Sequence, residues 1–424
     1  MISSPPPSSL PAAALASTAP ARPPEWASRP VSACLPQLTA LFHLSRELVL
    51  IQSGWLAGVP YWDAKQAIAR HVLEDACATE AILERLHELK ATTAEHKQVA
   101  DLEEWIADLA GGGDGDAWLR TLYGALKPWF IARVEDYLAG SDPVMDEPTR
   151  VVLERVIETQ RAHCAWFAGF RPRFSAWETA DSDRRLDEVR IHLSGASLVE
   201  GRLVQTGGAA RPVGWPRFSG IAAVRRDRTF LTPDQHSYPR EGTTFAEKRF
   251  LVFWNHVQEM QFAESLATIL HETREMPWAF HLDLARHMAD EVRHAAMGQA
   301  RLEQLGVGLA EVPMLTHNYA FRGNLDPLER FCLMTLVMEA SSFERKRANV
   351  ELFEAEGDEV SALYESYDIK DEMLHVNFGH LWVPVLLRVY HDARTVAELT
   401  EHCRAQIAQI ITEYPAAAAN MVKR

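Results

Sequence analysis

A five-residue pattern that occurs twice constrains this chain more than any other feature of its sequence. The copies read DEVRH at residues 290–294 and DEMLH at residues 371–375. In a helix, a Glu and a His three positions apart lie on the same face. Each copy therefore predicts a helix that directs one carboxylate and one imidazole towards a common point.

An isolated glutamate precedes each copy at nearly the same distance. The interval from Glu259 to Glu291 is one position shorter than the interval from Glu339 to Glu372. Turn-forming sequences divide both intervals near the middle, EMP at residues 275–277 and EGD at residues 356–358. With a rise of about 1.5 Å per residue, two antiparallel helices then place each glutamate level with the pattern that follows it.

Two such hairpins, packed together, bring four carboxylates and two imidazoles to one level of a four-helix core. The predicted metal ligands are Glu259, Glu291, His294, Glu339, Glu372 and His375. One Glu from each of two helices and a Glu-x-x-His from each of the other two is the ligand set of a carboxylate-bridged dinuclear metal centre. Two divalent ions nearly neutralise four carboxylates, so metal binding is expected to stabilise the fold.

The alternative to a metal centre is a solvated helix face. A Glu-x-x-His pair also occurs at Glu84 and His87, without the preceding Asp, and one such pair arises readily by chance. The matched spacing of two copies, each with its upstream glutamate, favours the metal centre.

Residues next to these ligands are secondary candidates. A metal-bound His usually donates its other N–H to a carboxylate or carbonyl, so Asp290 and Asp371 are predicted to orient the imidazoles. An exposed helix aspartate is the alternative for each. His287 and Asp368 lie four residues before the two pattern glutamates, and either can add a ligand or line a pocket.

Three further residues share the neighbourhood of the upstream glutamates. His256 lies three residues before Glu259, where pocket lining and simple packing are both open. Glu264 and Glu344 each follow an upstream glutamate by five residues, about 140° around a helix, and are expected at the surface or behind the ligands.

Composition limits the classes of partner and compartment. The net charge of −15 disfavours a nucleic-acid partner, because phosphate binding requires a basic face. No run of about 18 apolar residues is present, so no membrane span is predicted. The five scattered cysteines include no C-x-x-C pair, which favours a reducing cytoplasm and offers no zinc site.

The predicted fold class is all-α, with two helical bundles joined by an irregular connector. A chain of 424 residues with 47% hydrophobic content is long enough for two domains. The predicted divisions are a disordered tail (1–35), an N-terminal helical bundle (36–172), a connector with short strands or turns (173–245), the metal-binding bundle (246–395), and a C-terminal helix and tail (396–424).

The connector carries two short alternating stretches, at residues 189–193 and 220–224, which favour strands. Arg225, Arg226 and Arg228 follow the second stretch. A solvated charged turn is the preferred interpretation of these arginines, and binding of an acidic substrate group is the alternative.

The N-terminal half resembles the C-terminal half of the same chain. When Arg70-His71 is aligned with Arg286-His287, the pattern at 290–294 falls on Glu74, Asp75 and, in place of His294, Ala78. The sequence QRAH at residues 160–163 resembles the second pattern with Glu replaced by Gln. An ancient duplication whose first copy lost its metal ligands explains these matches, and two unrelated helical bundles are the alternative.

Residues 246–390 resemble the ferritin-like di-iron carboxylate superfamily through the two Asp-Glu-x-x-His patterns and their upstream glutamates. The resemblance implies an up-down four-helix bundle with two iron ions, or with manganese or a mixed Mn/Fe pair, held by the six ligands above. It covers about a third of the chain, and its motif is specific for the metal site and not for one reaction.

Members of that superfamily include oxygenases, desaturases, radical-generating subunits, peroxidases, a tRNA hydroxylase and iron-storage cages. The second helical half disfavours storage, the acidic charge disfavours tRNA, and the lack of a C-x-x-C module disfavours rubredoxin-bearing peroxidases. The resemblance therefore implies an O2-dependent hydroxylase, N-oxygenase or desaturase that acts on a small organic substrate and takes electrons from a reductase or another donor. It implies no catalytic residue separate from the metal centre. A non-catalytic metal-binding scaffold is the alternative, and a homodimer is one option for the assembly.

Overall fold

The computed structural model of the protein describes residues 29–97, 99, 101–171, 180–206, 216–226 and 242–413. In these ranges the fold is all-α, as predicted. The helices of the N-terminal half are α1 (Val31–Trp55), α2 (Trp62–Glu88), α3 (Leu102–Ala110), α4 (Gly115–Thr121), α5 (Lys127–Ala139) and α6 (Glu147–Phe170). A π-helical segment, Leu122–Leu126, joins α4 to α5, and 3-10 turns lie at Leu56–Gly58 and Ala94–His96.

The remaining described elements begin with α7 (Ala180–Ser194) and an antiparallel hairpin of β1 (Ala196–Val199) and β2 (Arg202–Gln205), in which Ala196 pairs with Gln205. The helices that follow are α8 (Phe245–Gln258), α9 (Met260–Glu272), α10 (Trp278–Gln304), α11 (His317–Arg322), α12 (Pro327–Cys332), α13 (Phe343–Ala355), α14 (Glu359–Val389) and α15 (Val396–Glu413). A π-helical segment, Leu333–Glu339, joins α12 to α13, and a 3-10 turn lies at Leu309–Glu311.

The long helices form two four-helix bundles with the same cyclic order. In the N-terminal bundle α1 packs on α2, α2 on α6, α6 on α5, and α5 on α1. In the C-terminal bundle the consecutive helices α8 and α9 together take the place of α1, α10 that of α2, the segment from α12 to α13 that of α5, and α14 that of α6. The bundles meet through α1 against α9 and α2 against α10.

The helix boundaries of the C-terminal bundle follow the capping chemistry of the sequence. Thr244 and Glu247 form a capping box at the start of α8. The Asp326 side chain accepts from the backbone N–H of Glu329 ahead of α12, as an N-cap does. Gly357, with φ of +72°, ends α13 in the left-handed conformation that glycine adopts without strain.

Several expectations about boundaries were wrong. The expected disordered tail reached residue 35, but α1 already begins at Val31, while residues 1–28 lie outside the described ranges. The alternating stretch at 189–193 belongs to α7 and not to a strand, and 220–224 forms no regular element. Among the helices of the described ranges, none combines the length and apolar character that a membrane span requires.

A buried ionic group joins the two bundles behind the predicted site. Glu264 on α9 is 0% exposed, and its Oε1 lies 2.5 Å from the Nζ of Lys65 on α2. Arg226 donates to both oxygens of the same carboxylate, with an Nη2–Oε2 distance of 2.8 Å. The surface position considered for Glu264 and the solvated turn preferred for Arg226 were therefore wrong. Burial lowers the pKa of Lys65 to about 8, with Glu264 opposing the shift.

Replacing Glu264 by glutamine is expected to destabilise the chain by roughly 3 to 5 kcal/mol, the usual cost of breaking a buried ion pair. The change leaves the charges of Lys65 and Arg226 buried without their carboxylate. Urea unfolding, followed by circular dichroism, measures the difference. Glu344→Gln is the matched control, because Glu344 is exposed and should change stability by less than about 0.5 kcal/mol. Equal midpoints for the two variants would contradict the structural role of Glu264.

Candidate metal centre

Both upstream glutamates lie where a helix is irregular. Glu259 separates α8 from α9, and its own N–H bonds to the carbonyl of His256 in a tighter turn. Glu339 is the last residue of the π-helical segment between α12 and α13. π-Helical segments are frequent at functional sites, and a 3-10 turn within a helix often marks a functional hinge. Neither irregularity was predicted from the sequence.

The first donor group consists of two imidazoles and two carboxylates, all buried: His287, Glu291, Glu339 and His375. The Nε2 of His287 lies 2.8 Å from Glu339 Oε1 and 3.6 Å from Glu291 Oε1. The Nδ1 of His375 lies 3.3 Å from Glu291 Oε1. The rings of His287 and His375 are stacked, with centroids 3.7 Å apart. One donor atom from each residue lies within 4.8 Å of the others, which is compatible with a single shared ion.

The second donor group shares Glu291 with the first and adds Glu259 and His294. The Nδ1 of His294 lies 3.5 Å from Glu259 Oε2 and 4.0 Å from Glu291 Oε1. Asp368 Oδ1 lies 3.4 Å from the same nitrogen, and Asp368, Glu372 and His294 form an overlapping set of potential donors, which we include in the second group. The structure therefore brings all six sequence-predicted ligands into two adjoining groups.

The two additional candidates lie inside these groups. His287 belongs to the first group and is 0% exposed, as is Asp368, which belongs to the second. His256 is also buried there, with Nδ1 3.3 Å from Glu259 Oε2 and Nε2 2.5 Å from Glu365 Oε1. Glu365 was not singled out from the sequence, although it lies seven residues before Glu372, two turns along the same face of α14.

Each aspartate of the repeated pattern lies next to the imidazole of the other copy. Asp371 Oδ2 lies 3.1 Å from His294 Nε2, and Asp290 Oδ2 lies 3.6 Å from His375 Nε2. Arg293 donates to both aspartates. Each imidazole thus faces a carboxylate on one side and the donor groups on the other, the arrangement that fixes the tautomer of a metal-bound histidine.

Lys346 is a charged residue of the site that the sequence patterns did not indicate. Its Nζ lies 2.6 Å from Glu372 Oε1, 2.6 Å from Asp368 Oδ2 and 3.8 Å from Glu259 Oε1. The side chain is 5% exposed. Lys346 follows Glu339 by seven residues, and this helical spacing is the signal that could have placed it on the same face.

The titration of these groups shows how the carboxylates balance their charge. Burial alone lowers the pKa of His287, but Glu339 and Glu291 raise it to about 10. Burial likewise opposes protonation of His294, whereas Asp368 and its neighbours raise that pKa to about 9. Burial raises the pKa of Glu372 to about 8, with Lys346 opposing the shift. Protons and one ammonium therefore compensate a concentration of negative charge that divalent cations would neutralise.

The donor set also fits a metal by its unsatisfied atoms. Within the described part of the chain, one carboxylate oxygen of each of four glutamates forms no hydrogen bond: Glu259 Oε2, Glu291 Oε1, Glu339 Oε2 and Glu372 Oε2. Buried polar atoms are normally paired, and a group of unpaired ones requires an explanation such as a bound ion. Carboxylate oxygens with imidazole nitrogens suit iron and manganese.

A cavity of about 530 Å³ lies beside the centre. The four sequence-predicted glutamates form part of its wall, as does Lys346. The rest of the lining mixes apolar side chains, among them Phe262 and Leu336, with polar and charged ones, among them Asn318, Arg345 and Arg404. The volume lies within the range of small-molecule pockets, so a compact organic molecule fits next to the carboxylates.

Comparison with known proteins gives a match for this half of the chain. Residues 216–420 match the family described as "Protein of unknown function (DUF455)". No curated protein and no solved structure matches the chain. The matched segment is just under half of the sequence, contains both donor groups, and excludes the N-terminal bundle.

Proposed function

We propose that the C-terminal bundle binds two iron ions and uses O2 to oxidise a small organic substrate. The observation that supports the proposal is the pair of adjoining donor groups that share Glu291 and face a cavity of about 530 Å³. Manganese or a mixed Mn/Fe pair suits the same donors. O2-dependent hydroxylation, N-oxygenation or desaturation consumes two electrons, which come from a reductase or another donor. The proposal also places the protein in the cytoplasm.

The protein groups have distinct tasks in this proposal. One ion is held by His287, Glu291, Glu339 and His375, and the other by Glu259, Glu291 and His294 with Asp368 or Glu372. When bound, the iron ions supply O2 binding and electron transfer, the chemistry that side chains lack.

The surrounding residues position the ligands and the substrate. Asp371 and Asp290 orient the imidazoles of His294 and His375 from outside the donor groups. The mixed lining of the cavity, with Phe262 and Leu336 among its apolar residues and Arg345 and Arg404 among its charged ones, holds the organic substrate beside the centre.

Anaerobic loading followed by exposure to O2 tests the proposal. Metal-free protein is titrated with Fe(II), desalted and analysed for iron, then mixed with O2 while oxygen consumption and the visible absorption are recorded. About two iron ions per chain, with stoichiometric oxygen consumption and a transient band, are expected.

Glu344→Ala is the matched control for this experiment, because Glu344 is exposed on the helix that follows Glu339 and should leave both readouts unchanged. A chain that binds two iron ions but consumes no O2 would instead support the non-catalytic scaffold. A chain that binds no iron would overturn the metal centre itself.

A further inference from the structure

The N-terminal bundle contains a second set of residues in the same arrangement as the metal centre. His71 and Asp75 correspond to His287 and Glu291 in the alignment of the two halves given above. Three further pairs share a single difference in residue number, which is slightly smaller than that of the first two pairs. They are Lys127 with Glu339, Gln160 with Glu372, and His163 with His375. This alignment places Lys127, which no sequence pattern had singled out, at the position of Glu339.

The geometry repeats along with the residues. The rings of His71 and His163 are stacked with centroids 3.8 Å apart and an interplanar angle of 25°. The corresponding rings of His287 and His375 are 3.7 Å apart at 24°. Two stacked pairs with nearly the same geometry at corresponding positions are difficult to obtain from unrelated bundles.

Two further structural details are the same in the N-terminal and C-terminal bundles. Lys127 directly follows the π-helical segment Leu122–Leu126, as Glu339 ends the π-helical segment of the C-terminal bundle. Glu74, which corresponds to Asp290, has its Oε2 2.6 Å from the Nε2 of His163, on the side of the ring turned away from the donor groups. Together these details favour duplication over the alternative of two unrelated bundles.

The ammonium of Lys127 lies in the middle of the second set. Its Nζ is 2.6 Å from Asp75 Oδ2, 2.8 Å from Gln160 Oε1 and 3.0 Å from His163 Nδ1. The Lys127 side chain is 0% exposed. An ammonium has three N–H donors, so these three acceptors use all of them. The imidazole of His163 accepts through Nδ1, the same nitrogen that His375 turns towards Glu291.

Charge supports the same interpretation. Burial raises the pKa of Asp75, but Lys127 and the other polar neighbours together outweigh this effect and lower the pKa to about 2. Burial and Lys127 both lower the pKa of His163, which keeps its imidazole neutral and able to accept. Ala78 replaces the histidine at the position of His294, so the N-terminal bundle lacks the histidine of the second donor group.

We infer that the ammonium of Lys127 stands where a metal ion would lie, so that the N-terminal bundle is a metal-independent copy with a latent divalent-cation site. The inference rests on the proposed metal centre for the identity of the ion, but its test compares variants with the parent chain and does not require the C-terminal bundle to bind iron. The copy supports α9 and α10 without needing an ion of its own.

The test is a Co(II) titration of the full-length chain, followed by absorption spectroscopy and metal analysis. The variant K127A/Q160E removes the ammonium and supplies a carboxylate at the position that corresponds to Glu372. It is expected to bind one Co(II) more than the parent chain. If it fails to fold without metal, refolding in Co(II) but not in buffer alone has the same meaning.

The matched control is K127A/D75N, which removes the ammonium together with the main carboxylate. It is expected to fold without metal and to gain no ion. A K127A/Q160E variant that binds no additional Co(II), or that fails to fold in its presence, would overturn the inference. So would a parent chain that loses one bound Co(II) on H163A substitution, because its N-terminal bundle would then already hold an ion.

Discussion

A Glu291→Ala variant is expected to lose both metal ions, whereas Glu339→Ala is expected to lose one. Glu291 is the residue that belongs to the four-member group with His287 and to the group with Glu259 and His294. Glu339 belongs only to the former of these two. Removal of a group that merely orients a ligand costs 10- to 100-fold in affinity, so loss of a shared ligand should cost at least about 100-fold, or about 2.8 kcal/mol, at each ion.

Metal analysis after desalting, with Fe(II) and Mn(II) in parallel, measures this difference. The metal-free form of Glu291→Ala should unfold at a lower temperature than the metal-free parent. Burial opposes ionisation of Glu291, but the imidazoles of His287 and His375 hold the pKa of its carboxyl well below the usual value, so the substitution removes a favourable interaction. Stabilisation of the variant by metal should be lost. Two ions retained in Glu291→Ala would contradict the assignment of a shared ligand, and equal losses in the two variants would contradict the division into two groups.

The convergence of the six candidate ligands of the C-terminal bundle could be predicted because the information for it is local. A Glu and a His at i and i+3 share a helix face whatever lies elsewhere, and helix rise converts the two nearly equal intervals between glutamates into a common height. His287 and Asp368 followed from the same periodicity. The reciprocal pairing of Asp371 with His294, and of Asp290 with His375, required the packing of α10 against α14.

Interactions between distant segments left no local signal. Glu264 contacts Lys65, which is far away in the sequence, and its carboxylate has the same spacing from Glu259 as the exposed Glu344 has from Glu339. Only the meeting of α2 with α9 distinguishes the two glutamates. The interruption of the helix at Glu259 and the π-helical segment before Glu339 likewise depend on packing, because neither segment contains the proline or glycine that usually marks a break.

Lys346 also shows why the charge of the site could not be read from its ligands alone. A buried ammonium 2.6 Å from both Asp368 and Glu372 occupies space among the donors of the second group. Among the described residues, the carboxylates of Glu291 and Glu339 contact the imidazoles of His287 and His375 and no ammonium, while the buried guanidinium of Arg322 interacts with both carboxylates through its charge. The two ions are therefore expected to bind unequally, the first among four available donors and the second only after Lys346 has moved away from its carboxylates.

A Lys346→Met variant should reveal this competition in two measurements with opposite signs. Metal-free protein should lose roughly 3 to 5 kcal/mol of stability, because Asp368 and Glu372 stay buried without their cation. The weaker of two Mn(II) binding events, measured by calorimetry, should strengthen by about tenfold or more, or about 1.4 kcal/mol, because the ion no longer displaces an ammonium. Saturating Mn(II) should therefore restore most of the lost thermal stability.

The exposed Lys370 provides the matched control, since Lys370→Met removes the same charge from the surface of α14. It should leave both the metal-free stability and the two Mn(II) affinities close to those of the parent chain. Unchanged affinities in Lys346→Met, together with a stability loss that Mn(II) does not restore, would show that Lys346 is a packing residue. The proposed competition between lysine and metal would then be wrong. That result would not bear on the donor groups around Glu291, because the comparison of Glu291→Ala with Glu339→Ala tests them separately.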